Sequence, residues 1–493
     1  MLSLKSNNKS NKTPTKTKTI NEKAQAKKIE RELPYFITIV TLLATAGLGP
    51  YFIFQKLKTI NLLPTLRDES EKILKRIDML GIDPLSAMAQ AVEKPSAKAL
   101  GEFLSGYVSA IQTGGNVINY LKSKMTTVFD RYTEKEKSSI EKVNAIIEAY
   151  MTIQIVVLAV YIMISAMGAN NTENSPSTGF DAKYLVLILP PLISFMFCIM
   201  TRNMSAVKVK ELPIKEAVKY AIPVLTIFVI LLLTNVFSKM HLNAILFGIV
   251  LAIICIIPSR KYAKIHRLNL AADSATPQIL RDITEARKAG IGPEKCVIHA
   301  CSRKDYKEFT TIANSISSKL EWGIPLNNIF DVLQKEIENF QVLISFRILI
   351  EIISSGGGSV QTLDSLAETS EKFHNIEKNK REMLSPYVMI GFVLIGMTGF
   401  ITLVVIDVFS SVSVSSALSG PKTSNDKTQA TIELYSGSVI AQSFLAGFFL
   451  GKITDGAFSA GYKIAMRLVL VSLIAVSMIQ FHLIDFGSIL GNK

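Results

Sequence analysis

AGLGP stands at residues 46–50, and a near copy, AGIGP, stands at residues 289–293. The offset of 243 residues persists outward from this pair. Pro34 falls on Pro277, Gly47 on Gly290, Gly49 on Gly292 and Pro50 on Pro293. TGGNV (113–117) falls on GGGSV (356–360), which sets Gly114 and Gly115 on Gly357 and Gly358. Between these landmarks GIDPL (81–85) matches GIPL (323–326) with one residue deleted. Two long segments agreeing in order and spacing are a duplicated domain.

Both copies read as all-helical. Ile279, Ile283 and Ala286 recur at helical spacing before Ala289-Gly290 stops the helix, and Pro293 opens the next one. Gly47 and Gly290 are expected to supply the positive φ that ends a helix. Gly47, Gly49, Pro50, Gly290, Gly292 and Pro293 thus form one hinge per copy. Gly114, Gly115, Gly357 and Gly358 form a second turn or a close approach.

The chain has 493 residues and is 49% hydrophobic. That is rich for a soluble protein and points to a polytopic membrane protein with large polar domains. Seven runs approach the roughly 20 apolar residues a span needs: 150–168, 184–200, 217–237, 243–258, 387–408, 437–453 and 464–484. Pro190, Pro191 and Pro223 are expected to kink their helices. Arg202, Lys208, Lys210 and Lys215 crowd one short loop, and Lys452, Lys463 and Arg467 flank another. The loops at 169–183 and 409–436 are rich in Ser, Thr, Asn and Gly. By the positive-inside rule both large charged regions are cytoplasmic and the C-terminus is outside. The sequon Asn170-Asn171-Thr172 on an outside loop agrees with this.

The stretch 34–54, PYFITIVTLLATAGLGPYFIF, reads by hydropathy as an eighth span. Its counterpart, PQILRDITEARKAGIGPEKC, is too charged to cross a bilayer. A span at 34–54 would also export the preceding basic tail. It is therefore read as the first helix of a soluble bundle. The plan is a basic disordered tail (1–32), helical domain A (33–149), four spans (150–258), helical domain B (259–383) and three spans (384–493).

The formal net charge is +14, and residues 1–32 alone carry nine Lys/Arg against three Asp/Glu. The basicity belongs to a solvated tail and to membrane flanks that meet anionic lipid, not to a nucleic-acid-binding face. The tail lacks the apolar core of a cleaved export signal. The four cysteines show no disulfide or metal spacing; His299 between Cys296 and Cys301 is the nearest to a metal set. The five histidines are scattered, and no phosphate-binding loop or nucleophilic triad stands out. No cofactor, metal site or enzymatic activity is expected. Mid-span polar residues are few (Gln154, Asn235, Gln442) and are read as helix-to-helix hydrogen bonds.

The set LPYFITIVTLLATAGLGP, IQTGGNVINYL, ILRDITEARKAGIGP and ISSGGGSVQTLDSLAE resembles the F-domain platform proteins of type II secretion and type IV pilus machines. Seven spans, four of them between the domains, resemble the archaeal branch, with its archaellum and adhesion-pilus platforms. The resemblance implies an integral membrane platform that binds a separate hexameric secretion ATPase. It also implies a homodimer that passes pilin- or archaellin-like subunits from the membrane into a filament. Candidate ATPase contacts are the charges around the second hinge: Arg281, Asp282, Glu285, Arg287, Lys288, Arg303 and Lys304. Rival readings are a secretion or DNA-uptake platform, a permease or channel, and a membrane enzyme. Trp322, the single tryptophan, is read as a core residue.

Overall fold

A computed structural model of the chain describes residues 15–93, 97–168, 182–201, 243–303, 305–356, 358–416 and 423–480. Every regular element among them is a helix. The first copy holds α1 (Thr15–Thr45), α2 (Pro50–Lys58), α3 (Pro64–Leu80), α4 (Pro84–Glu93), α5 (Lys98–Gln112) and α6 (Val117–Gly168), followed by α7 (Ala182–Thr201). The second copy holds α8 (Asn243–Lys288), α9 (Pro293–Arg303), α10 (Thr310–Glu321), α11 (Leu326–Glu336), α12 (Phe340–Ser354) and α13 (Val360–Ser416). Two helices follow, α14 (Thr423–Asp455) and α15 (Phe458–Gln480). α1 begins inside the stretch read as a disordered tail.

The duplication is visible in the hydrogen bonds that end the helices. In the first hinge Ala46, Gly47 and Leu48 donate backbone N–H groups to the carbonyls of Leu42, Ala44 and Leu43. In the second, Ala289, Gly290 and Ile291 donate to Glu285, Arg287 and Ala286, each shifted by the same 243 residues. Gly47 has φ +91° and Gly290 φ +84°. A left-handed residue there lets the chain fold back and satisfy the last carbonyls of α1 and α8. Pro50 and Pro293 then open α2 and α9, where a missing N–H costs nothing.

The glycine turn before α6 and α13 follows a different register from the one the sequence suggested. Thr113 and Gly114 donate to Ser109 and Ile111; Ser355 and Gly356 donate to Glu351 and Ile353. The left-handed glycines are Gly114 (φ +64°) and Gly356 (φ +74°), which lie 242 residues apart. The second copy thus carries one extra residue inside the turn, and Val117 and Val360 regain the offset of 243. Aligning on the valines hid this, because glycines occupy all three positions 356–358. Gly357 lies outside the described residues.

The chain folds as two compact units. One comprises Met1–Lys135 and Ala271–His374, the other Glu136–Leu270 and Asn375–Lys493; α6, α8 and α13 contribute residues to both. In the first unit the two copies pack on each other. Tyr35 of α1 stacks on Phe373 of α13 with centroids 4.6 Å apart and meets Phe340 of α12 edge-on at 4.9 Å. Phe129 lies 4.6 Å and Tyr132 6.1 Å from the same Phe373 ring. Lys56 of α2 reaches Glu351 of α12 at 3.2 Å.

This packing explains why 34–54 looks like a span. Phe36, Ile37, Ile39, Val40, Leu42 and Leu43 are all at most 1% exposed. α1 packs against α2, α3 and α5 of its own copy and also against α12 of the other. A helix apolar all round is one buried all round, and here protein rather than lipid does the burying. Thr38 and Thr41 satisfy their hydroxyls on carbonyls one turn back, at 2.9 and 2.7 Å.

In the second unit, three helices among the described residues are long and apolar enough to cross a membrane: the apolar part of α8, Tyr435–Asp455 and Phe458–Met478. Three of the seven expected spans are thus seen among the described residues. The apolar part of α7 is shorter, Ile188–Thr201. The run 217–237, Pro223, Asn235 and the basic loop after 201 lie outside the described residues, as does most of the sequon loop. The runs 150–168 and 387–408 are the far parts of α6 and α13, whose near parts are charged. Gly447 and Gly451 let α14 meet α15 at backbone contact: a Cβ at either would overlap Ala465 or Gly461. GFFLG (447–451) is a small-xxx-small signal for close helix packing, and Gly456 (φ +73°) turns the chain between the two helices.

One group of polar side chains in this unit pairs within itself. Gln442 donates to Gln154 at 2.7 Å, Gln154 donates to Ser194 Oγ at 3.3 Å, and Tyr150 lies 3.2 Å from Ser194 Oγ. The reading of Gln154 and Gln442 as helix-to-helix links holds, and Ser194 is their third member.

Candidate functional site

The charges around the second hinge divide into two sets. Arg281, Glu285 and Lys288 are exposed and recur at i, i+4 and i+7, so they share one face at the end of α8. Arg281 pairs with Glu371 of α13 at 2.8 Å. Arg303, half-exposed at the end of α9, lies 3.8 Å from Asp282. Lys304 lies outside the described residues.

The other two candidates turn inward. Asp282 is 7% exposed and lies 3.5 Å from the Tyr306 hydroxyl, which donates to the Ala300 carbonyl at 2.8 Å. Burial, then the Asp282 charge, raises the Tyr306 phenol above its ordinary value, so it stays a donor. Arg287 donates from Nε to the Gly358 carbonyl at 2.7 Å and from Nη1 to the Ile291 carbonyl at 3.0 Å. Its guanidinium fork thus ties the AGIGP hinge to the glycine turn. A Cβ at Gly358 would sit 2.9 Å from Pro293 Cγ, so the two motifs also touch by packing. In the first copy Ala44 stands in place of Arg287, and Gly115 has ordinary space around it. Arg287 is therefore a structural staple and not a free partner contact.

Only one glycine of each AGxGP motif is demanded by the backbone. Gly49 is extended (φ −72°, ψ 163°), and neither Gly49 nor Gly292 has a neighbour within 4 Å of an added Cβ.

Two exposed charges escaped sequence reading. Glu294 and Lys295 follow Pro293 at the start of α9, with Ser302 exposed at its end. A Pro followed by two opposite charges at a helix start was a legible surface signal. Cys296 and Cys301 are buried in the core of α9, and Cys296 lies 3.3 Å from the Ile291 carbonyl. Burial pushes the Cys301 thiol up to about 12 and raises that of Cys296, so neither offers a ready thiolate. Among the described residues no group of three His, Cys, Asp or Glu gathers as a metal site. Trp322 is not core: it is 86% exposed.

The same surface on the first copy is different. Thr38, Leu42, Thr45, Tyr51 and Phe52 stand where the second copy has Arg281, Glu285, Lys288, Glu294 and Lys295. Farther along α2, Lys56 and Thr59 are engaged by Glu351 and Arg347 of the second copy. The charged hinge of this chain is therefore the second one.

Two segments of the chain, residues 36–165 and 279–406, each match the family model for type II secretion system (T2SS) protein F. Together they cover just over half the chain, and the chain belongs to that family. It is also similar to an uncharacterized protein of Methanocaldococcus jannaschii, at 20% identity over 488 residues, covering 91% of this chain and 79% of the relative. No solved structure matches it. Proteins of this family are inner-membrane proteins that generally work with secretion ATPases and pilin-like subunits.

Proposed function

We propose that this chain is the membrane platform of a type IV pilus-like machine of the archaellum or adhesion-pilus type. In this reading both copies and the N-terminal tail are cytoplasmic and the C-terminus is outside. A hexameric ATPase grips the platform, and pilin- or archaellin-like subunits pass from the bilayer into the filament. The chain works as a homodimer and supplies no catalytic group or cofactor of its own.

The observation that carries the reading is the inequality of the two copies. The second copy packs on the first and leaves its own hinge open, lined by Arg281, Glu285, Lys288, Glu294 and Lys295. A charged, rigidly held helix pair is a good handle for a soluble motor, because charge complementarity sets register and on-rate. A permease is less well supported, since Gln154, Ser194 and Gln442 spend their hydrogen bonds on one another.

The test is purification of the full-length protein in mild detergent from its native cells, with mass spectrometry of the proteins that come with it. The platform reading expects a secretion-type ATPase and pilin-like subunits, and the subunit recovered distinguishes swimming from adhesion. The double reversal E285K/K295E should abolish ATPase recovery while the protein stays inserted at normal abundance. Full ATPase recovery with E285K/K295E would move the contact elsewhere. Substrate flux by the purified protein alone would overturn the platform reading.

A further inference from the structure

The seam between the copies is heterologous: the α1–α2 face of the first meets the α12 face of the second. Its buried centre is a charge. Glu351 is 3% exposed in a helix, FQVLISFRILIEIIS, that is otherwise nearly all apolar on its inner faces. It accepts from Lys56 of the first copy at 3.2 Å and from Arg347 one turn back on its own helix. Arg347 also donates to the Thr59 hydroxyl at 3.2 Å and lies over the Phe330 ring at 5.5 Å. Phe340, one end of the same face, receives Tyr35.

None of the charged or aromatic groups recurs at the matching place in the other copy. By the helix-end hydrogen bonds, Glu351 corresponds to Ser109, Arg347 to Ser105 and Phe340 to Lys98. Lys56 corresponds to His299, Thr59 to Ser302 and Tyr35 to Gln278. A first copy docked on another first copy would set Lys56 against Ser109 and Tyr35 against Lys98. A second copy docked on another second copy would set the shorter His299 and the polar Gln278 against Glu351 and Phe340. In such a pairing Glu351 would keep Arg347 of its own helix but lose Lys56; a buried carboxylate that loses one of its cations is costly, whereas a matched one adds little net stability. Such a group discriminates between partners more than it strengthens the contact.

We infer that Glu351 is a pairing key: it makes the outer face of α12 accept the α1–α2 face of the first copy and refuse the equivalent face of a second copy. The partner this surface fits is thus fixed as the other half of the same duplicated pair. Pairing stops at two, because the first copy's own α5 presents Lys98, Glu102, Ser105 and Ser109 to solvent. An uninterrupted heterologous contact would otherwise propagate from chain to chain.

The test is amide hydrogen exchange of the full-length protein in detergent, read in peptides covering α1–α2 and α12. E351K places three cations together and should speed exchange there about tenfold or more. K56E should act in the same direction, and the charge swap K56E/E351K should return exchange to within about threefold of wild type. A swap no better than E351K alone, or an E351K protein with unchanged exchange, overturns the key. If E351K fails to accumulate, the neutral pair E351Q and K56Q decides. Non-additive effects in the double variant support the key, and strictly additive ones overturn it. A glutamate that acted only through Arg347 of its own helix, or only by its volume, would not be rescued by moving the charge across the seam.

Discussion

The two copies share a backbone plan and differ in what they do with it. In the first, the C-terminal part of α1 is apolar on every side and is buried by its own bundle and by the second copy. In the second, the end of α8 is amphipathic and its hinge faces water. Both hinges are held by helix-end hydrogen bonds; the second is also held by Arg287 and by the contact of Gly358 with Pro293. Duplication made two similar bundles, and their surfaces diverged: the hinge of the first is uncharged and that of the second is charged.

The largest expected effect breaks the pairing itself. Phe373 is buried against Tyr35, Phe129 and Tyr132 of the first copy. Phe373→Ala should destabilise the first unit by about 3–5 kcal/mol, measured as accelerated hydrogen exchange in both copies at once. Next comes the staple present in one copy only. Arg287→Ala strands two carbonyls and should cost about 1.5–3 kcal/mol, with exchange rising at residues 289–293 and 355–359 and not at 46–50. The reverse change, Ala44→Arg, should add nothing.

The two glycine turns sharpen the comparison further. Gly358→Ala must push Pro293 aside and should cost about 1–3 kcal/mol, whereas Gly115→Ala should be milder. Gly47→Ala and Gly290→Ala should each cost about 1–2 kcal/mol for the left-handed backbone; Gly49→Ala and Gly292→Ala should be close to neutral. Equal losses at all four glycines would contradict the geometry of the hinge.

The smallest expected effect is a probe. Cys296 and Cys301 replace Ile53 and Lys58 of the first copy, so their alkylation reports on the second copy alone. Burial raises both thiols, Cys301 to about 12. The stability they contribute is present below the unfolded thiol's value, about 8.5, and is lost as pH rises through the folded one. Iodoacetamide labelling at pH 8 should therefore be slow in the folded protein and fast after denaturation. Fast labelling of the native protein would mean that the second copy opens readily.

Much of the plan was legible in the residues. Left-handed turns demand glycine, helix starts tolerate proline, and both leave marks at fixed spacing; hence AGLGP and AGIGP announced two copies of one helical bundle. The surface charges at Arg281, Glu285 and Lys288 were legible from helical spacing. The inward turn of Asp282 and Arg287 was not, because their partners, Tyr306 and the carbonyls of Ile291 and Gly358, are brought near only by the fold. The register of the second glycine turn was hidden by three successive glycines, any of which satisfies a left-handed position.

By itself the sequence determined the local events: where helices stop and restart, that the bundle is duplicated, and that much of the rest is apolar enough for a membrane. Such events depend on φ, ψ and periodicity, which neighbouring residues control. Only the tertiary structure decided that the two copies embrace, that the apolar start of 34–54 is buried by protein, and that the charges of the second hinge divide into an outward and an inward set. Those outcomes depend on groups such as Lys56 and Glu351, which are 295 residues apart in the chain and 3.2 Å apart in the fold. A charge or ring acquires its meaning from the partner that desolvates it, and local sequence does not name that partner.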